Sequence, residues 1–189
     1  MFEQIFGDGP PGFKNTFSDK TVEIEVMITL EQAFYGVTKY VNIPLSQSQN
    51  VQTKRFELKI PPGISSGEKI TYVDKAKYDL QKFICKIVIE PHKIFQLAGR
   101  NLKNRVFMSL SQAILGGELV VPTITGKEVI LSIPQFTQNG QIFKLKGKGM
   151  PYKSNPFEFG DQMISTQVVL PQDMTHDQLQ LFKQLGELI

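Results

Sequence analysis

Hydrophobic and polar residues alternate over much of this chain with a period of two. Across residues 21–28 the apolar side chains Val22, Ile24, Val26 and Ile28 fall on one face, and Glu23 and Glu25 on the other. That pattern marks a strand with one side against a core. Residues 56–60 alternate too, residues 83–89 do so in part, and so do residues 141–148. In the last stretch Phe143 and Leu145 point one way, and Lys144, Lys146 and Lys148 the other. Short helices interrupt the strands. Thr29-x-x-Gln32 and Ser109-x-x-Gln112 are capping boxes, with Gly36 and Gly116 as terminators.

These signals recur in order. Leu30, Gln32, Ala33 and Gly36 match Leu110, Gln112, Ala113 and Gly116, each 80 positions apart. Ile60, Pro61 and Gly67 match Ile133, Pro134 and Gly140, 73 apart, and stretches ending at Pro91 and Pro171 close the two units. Three collinear matches predict a duplicated, all-β chain of two tandem β-barrel or sandwich-like domains, each with a short helix. The expected division is a linker over residues 1–20, a first β domain over 21–96 and a second over 97–171. A C-terminal helix follows over 172–189. Its capping box is Thr175-x-x-Gln178, and Leu181, Phe182, Leu185 and Leu188 form one apolar stripe. So short a helix must pack on something, either back on its own chain or on a second copy.

Composition narrows the chemistry. Among 189 residues, 41% are hydrophobic and 21% charged, with a net charge of +3, which suits a globular chain without demanding a polyanionic partner. No apolar run approaches the roughly 18 residues of a membrane span, and the first residues lack a signal-peptide pattern, so a cytoplasmic, non-membrane protein is expected. The single cysteine, Cys85, has only His92 and His176 as soft-ligand company. No metal or cofactor is therefore expected. Neither a nucleophile elbow nor an acid–base pair stands out, and the chain does not read as an enzyme. The lysine- and glycine-rich stretch over residues 144–151, Lys-Leu-Lys-Gly-Lys-Gly-Met-Pro, has a phosphate-loop composition. Loop-forming residues follow it rather than a helix, so a turn after a strand is expected.

Several motifs carry a family resemblance. ISSGEKITY, the Pro91-His92 strand end followed by IFQLAGRNL, then LSQAILGGELVVPTITGKEVILSIP, TQNGQIFKLKGKGMP and FGDQMI stand in this order. The order and the motifs resemble the C-terminal substrate-binding region of the DnaJ family of forty-kilodalton heat-shock co-chaperones. The resemblance runs from about Thr21 to the end, and the opening Phe2-Glu-Gln-Ile-Phe-Gly7 resembles the end of the family's glycine/phenylalanine-rich linker. It is to the zinc-less class, since no Cys-x-x-Cys repeats occur. Neither histidine begins a His-Pro-Asp, so a J domain is not expected in this sequence.

The resemblance implies a co-chaperone module of stress response and protein folding. Such a module binds unfolded or extended client polypeptides in a shallow apolar groove and presents them to a DnaK-type ATPase chaperone. Matched by position around Gly36, the groove falls on Ile24, Val26, Val41 and Ile43, with Cys85 beside them. Lys39 and Lys54 would receive the acidic tail of the ATPase chaperone. The resemblance also implies a homodimer formed through Leu181, Phe182, Leu185 and Leu188. The residues alone leave a plain core role open for each groove position, and DNA binding through basic strand faces is the alternative function. Three departures are visible: Phe136 stands where a glycine is usual, and Arg100 and Asn101 where acidic residues are.

Overall fold

The computed structural model describes residues 22–47, 50–74 and 81–188; the linker expected over 1–20 lies outside the described residues. The first unit runs β1 (Val22–Ile28), α1 (Leu30–Tyr35), β2 (Val37–Gln47), β3 (Asn50–Ile60), β4 (Lys69–Asp74) and β5 (Gln81–Ile89). After a short β6 (Gln96–Ala98), the second repeats the plan. It comprises β7 (Asn101–Ser109), α2 (Leu110–Leu115), β8 (Gly117–Pro122), β9 (Glu128–Ile133), β10 (Ile142–Leu145) and β11 (Gln162–Val169). The tail helix α3 (His176–Leu188) closes the chain.

The duplication expected from sequence is visible in the pairing. β1 lies parallel to β5, which lies antiparallel to β4; β7 lies parallel to β11, which lies antiparallel to β10. A separate hairpin accompanies each sheet, β2–β3 in the first unit and β8–β9 in the second. Among the described residues no sheet closes on itself, so the units are open and sandwich-like rather than barrels. β7 alternates strictly between exposed and buried side chains, as a strand with one solvated face must. The strand expected over residues 141–148 is shorter than its alternation: β10 ends at Leu145, because Lys146 and Gly147 turn toward Asp161. Phe143 and Leu145 do face the core of the second unit.

All three capping boxes form. The Thr29 hydroxyl accepts from the Gln32 N–H at 3.2 Å and Gln32 accepts from the Thr29 N–H at 3.1 Å; Ser109 with Gln112 and Thr175 with Gln178 do the same. Gly36 and Gly116 end α1 and α2 in an extended, positive-φ conformation (φ 76° at both) rather than a left-handed helical one. Only glycine reaches that region cheaply. A Cβ would also lie 2.9 Å from the Ile60 oxygen at Gly36 and 2.7 Å from the Ile133 oxygen at Gly116, so the two units share this packing.

At one equivalent pair they diverge. Gly63 follows the Ile60 strand end with φ 72°, and Phe136 occupies the matching place with φ 62°, the sole non-glycine residue with positive φ among those described. Its ring is 71% exposed, so packing does not offset the steric cost of a left-handed side-chain-bearing residue, about 1–2 kcal/mol. Replacing Phe136 with glycine is expected to stabilise the chain by about 1 kcal/mol, whereas Gly116→Ala destabilises it by about 2 kcal/mol or more. Chemical denaturation of the two variants beside the parent checks both signs.

Candidate functional site

β1 is an end strand of its sheet, and β2 belongs to a sheet of only two strands. Their neighbouring edges therefore carry main-chain groups that no described strand satisfies. Lys39 of β2 reaches across, and its ammonium donates to the Met27 carbonyl of β1. The second unit handles the same edge differently: β6 pairs with the start of β7, Leu97 opposite Leu102 and Ala98 opposite Asn101.

The groove residues expected from sequence divide by burial. Ile24 and Val41 are half-buried, Val41 leaning on the first core cluster. Val26 and Cys85 sit inside that cluster, 5% and 1% exposed, so they form a floor and offer almost no contact surface. Cys85 stands opposite Ile24 in the β1–β5 register, and burial pushes its thiol pKa up, which makes it a packing group rather than a nucleophile. Ile43 and Lys54 face each other in the β2–β3 backbone register, but their side chains lie outside the described residues. Sequence reasoning did not select Met27 and Tyr40, each 58% exposed beside Lys39. Their alternation outward from the core was the available signal. The Arg55 guanidinium lies 4.2 Å from the centroid of the Tyr40 ring and fixes it.

The lysine- and glycine-rich stretch proves to be a joint between the units. The Lys144 ammonium meets the Asp161 carboxylate at 2.7 Å, and the Gly147 N–H donates to Asp161 at 2.9 Å. The main chain then crosses residue 100, with the Met150 N–H donating to the Arg100 carbonyl at 2.8 Å and the Gly149 N–H to the Gly160 carbonyl at 2.8 Å. At Gly149 a Cβ would stand 2.6 Å from the Arg100 oxygen, so the glycine serves close backbone approach and no phosphate. Met150, Leu102 and Ile124 enter the core cluster of the first unit. The Arg100 guanidinium donates to the Gly63 carbonyl and to the Ser65 hydroxyl, and Phe34 stacks on Phe159 at 5.9 Å. Lys153 forms an ion pair with Glu68 across the joint.

His92 has a structural role beside it. Its Nδ1 accepts the main-chain N–H groups of Ile94 and Phe95, both at 3.0 Å, so Nε2 carries the proton and donates to Glu31 at 3.0 Å. The His176 ring hydrogen-bonds with the Gln180 amide at 2.9 Å. Among the described residues no group of His, Cys, Asp and Glu is placed to hold a metal ion, and no helix is long and apolar enough to cross a membrane.

Among the described residues this is a duplicated, sandwich-like β chain with an open strand edge in its first unit and an apolar stripe on its tail helix. The family model described as the DnaJ C terminal domain matches residues 22–171, and the chain belongs to that family. It is 33% identical over 140 residues to the chaperone protein DnaJ of Acetivibrio thermocellus, covering 71% of this chain and 36% of that protein. With the chaperone protein DnaJ of Beijerinckia indica subsp. indica the identity is 38% over 136 residues, covering 68% and 36%. The chain thus spans little more than a third of the length of these relatives.

The Glu68–Lys153 pair gives the joint an acid dependence. Partial burial pushes the Glu68 carboxyl up, but hydrogen bonds from Lys153 and the Ser65 N–H outweigh it and hold the group below the ordinary glutamate range. A carboxylate with a depressed pKa contributes stability above its unfolded value and loses it as pH falls through the folded one. Glu68→Gln is expected to destabilise the chain at pH 7, with the difference from the parent shrinking through and below the ordinary glutamate range. Thermal melts from pH 7 to pH 3 check this; a constant difference would show that the charge is not the cause.

Proposed function

We propose that this chain is a co-chaperone module that binds apolar stretches of unfolded or extended polypeptide along the β1–β2 edge and presents them to a DnaK-type ATPase chaperone in the cytoplasm. The observation that carries the reading is the unpaired edge of β1 flanked by half-buried Ile24 and Val41. Main-chain pairing on such an edge gives affinity without sequence choice, and the side chains beside it select apolar segments that folded proteins hide. Lys39 spends one of three ammonium donors on Met27, which leaves two for the acidic tail of the ATPase. Lys54 would be the second charge partner. The module needs no covalent chemistry of its own.

The division carried into this proposal is 21–96 as the client-binding first β domain, 97–171 as the second β domain and 172–189 as a C-terminal helix for dimerisation or packing. No residue of α3 is buried, and Leu181, Phe182, Leu185 and Leu188 are 64%, 43%, 43% and 84% exposed. Phe182 lines a groove of about 570 Å³ with Phe107, Met108, Leu170 and Met174. An apolar stripe left open in a single copy supports a homodimer in which that stripe is covered.

Fluorescence anisotropy of a labelled, apolar, extended peptide titrated with the chain tests the groove. Ile24→Asp is expected to weaken binding at least tenfold, the loss of one apolar anchor of about 1.5–3 kcal/mol, while the melt stays cooperative. Undiminished binding by the folded variant would overturn the assignment. Light scattering tests the tail. At tens of micromolar the mass should be twice 21.4 kDa and should halve in Leu185→Asp. A parent mass of 21.4 kDa would exclude the dimer.

A further inference from the structure

The two repeats carry opposite charge at matched positions of one sheet face. On β1, Glu23 and Glu25 project outward, and Lys69 and Lys86 neutralise them at 2.9 and 2.8 Å. Eighty positions on, β7 carries Lys103 and Arg105, which share its exposed face with Phe107. The rows correspond: Lys69, Lys86 and Glu25 stand side by side in the first unit, and Ile142, Ser165 and Arg105 in the second. The next row has Lys144, Met163 and Lys103, and Lys144 is already held by Asp161. Among the described residues neither the Lys103 ammonium nor the Arg105 guanidinium has a hydrogen-bond or ion-pair partner. The first unit thus balances this face internally and the second leaves two cations free beside Phe107, which is 63% exposed.

We propose that the outer face of the second-unit sheet docks an acidic, extended polypeptide segment. Side chains two apart on a strand are about 7 Å apart, the same repeat that an extended ligand presents. The matching ligand has carboxylates at alternate positions for Lys103 and Arg105, and an apolar side chain two residues further for Phe107. Arg105 offers a carboxylate a planar, two-pronged donor. A nucleic-acid backbone fits less well. Its phosphates need cations along their whole path, and the row continues to neutral Asn101 on one side and to Phe107 and Ser109 on the other.

The probe is a fluorescein-labelled peptide, Gly-Asp-Gly-Asp-Gly-Phe-Gly, compared with its serine-for-aspartate version and with a single-stranded oligothymidine, all on the intact chain. We expect weak binding, roughly millimolar because exposed ion pairs contribute little each, and several-fold weaker for the serine peptide. Amide shifts in the ¹⁵N-labelled chain should cluster at Lys103, Arg105, Phe107 and Ser165. Lys103→Glu with Arg105→Glu should reduce the affinity several-fold. The milder Lys103→Gln with Arg105→Gln should do so too, which keeps the test valid where charge reversal disturbs folding. Any of four results overturns the proposal: no binding, binding undiminished in both double variants, shifts at β1 and β2 instead, or oligothymidine binding more tightly than the acidic peptide through the same two cations.

Discussion

The arrangement depends on one main-chain crossing, where residue 100 passes Gly149 and Gly160. The Arg100 carbonyl accepts from Met150, and the Gly160 N–H donates to the Met150 carbonyl at 2.9 Å, so three chain segments meet with no room for side chains between them. Close approach lets Met150 enter the core of the other unit, where it is 1% exposed. It also brings the Arg100 guanidinium onto the Gly63 carbonyl. The units are therefore not beads on a flexible string. Part of the core of one is built from residues of the other, and separating them exposes apolar surface and orphans buried main-chain donors at once.

On that shared frame the repeats have diverged in what they leave open. Among the described residues the edge of β1 meets no strand and is reached by the Lys39 ammonium, whereas β6 covers the start of β7. The interior diverged as well. The second unit buries Asn104 and Gln162, which bond to each other at 3.0 Å, where the first has Ile24 and Phe83. A buried amide pair costs stability unless satisfied, and the Asn104 Nδ2 and Gln162 Oε1 atoms have no protein partner. A polar interior beneath the strand is a poor floor for an apolar ligand. The first unit, floored by Val26 and Cys85, keeps the proposed client groove apolar.

Period and punctuation made the repeat legible before any coordinates. Strand alternation and three capping boxes are local in sequence; the boxes formed as read, because a box needs only residues three apart, whereas the alternation over residues 141–148 outran its strand, which ends at Leu145. What the sequence hid is long-range. Nothing in residues 144–151 tells that Gly149 abuts residue 100, since that glycine is demanded by a segment some fifty positions away. Arg100 read as a departure from the family pattern and became the link between the units. Phe136 read as a missing glycine, and the backbone kept the positive φ that glycine would have adopted, so the turn outlasted the residue suited to it. At the groove, alternation placed Ile24 and Val26 on one face but could not tell rim from floor. That difference is set by what packs against that face of the sheet, a property of the layers rather than of β1 itself.

Depth also fixes how such a site must work. With Val26 and Cys85 sealed, a client segment on the proposed edge would meet, among the described side chains, Ile24, Val41 and the outward Met27 and Tyr40, a few anchors beside a short edge. At about 0.8 kcal/mol per buried methylene this suffices for weak, releasable contact. Weak sites gain from being doubled, provided their separation is fixed well enough for one chain to reach both. In the proposed homodimer the open stripe of α3 would pair two such grooves, and the glycine-backed crossing at residue 100 would hold each groove against its own second unit. A groove too shallow to hold a client alone would thus become effective through its pairing in the proposed homodimer.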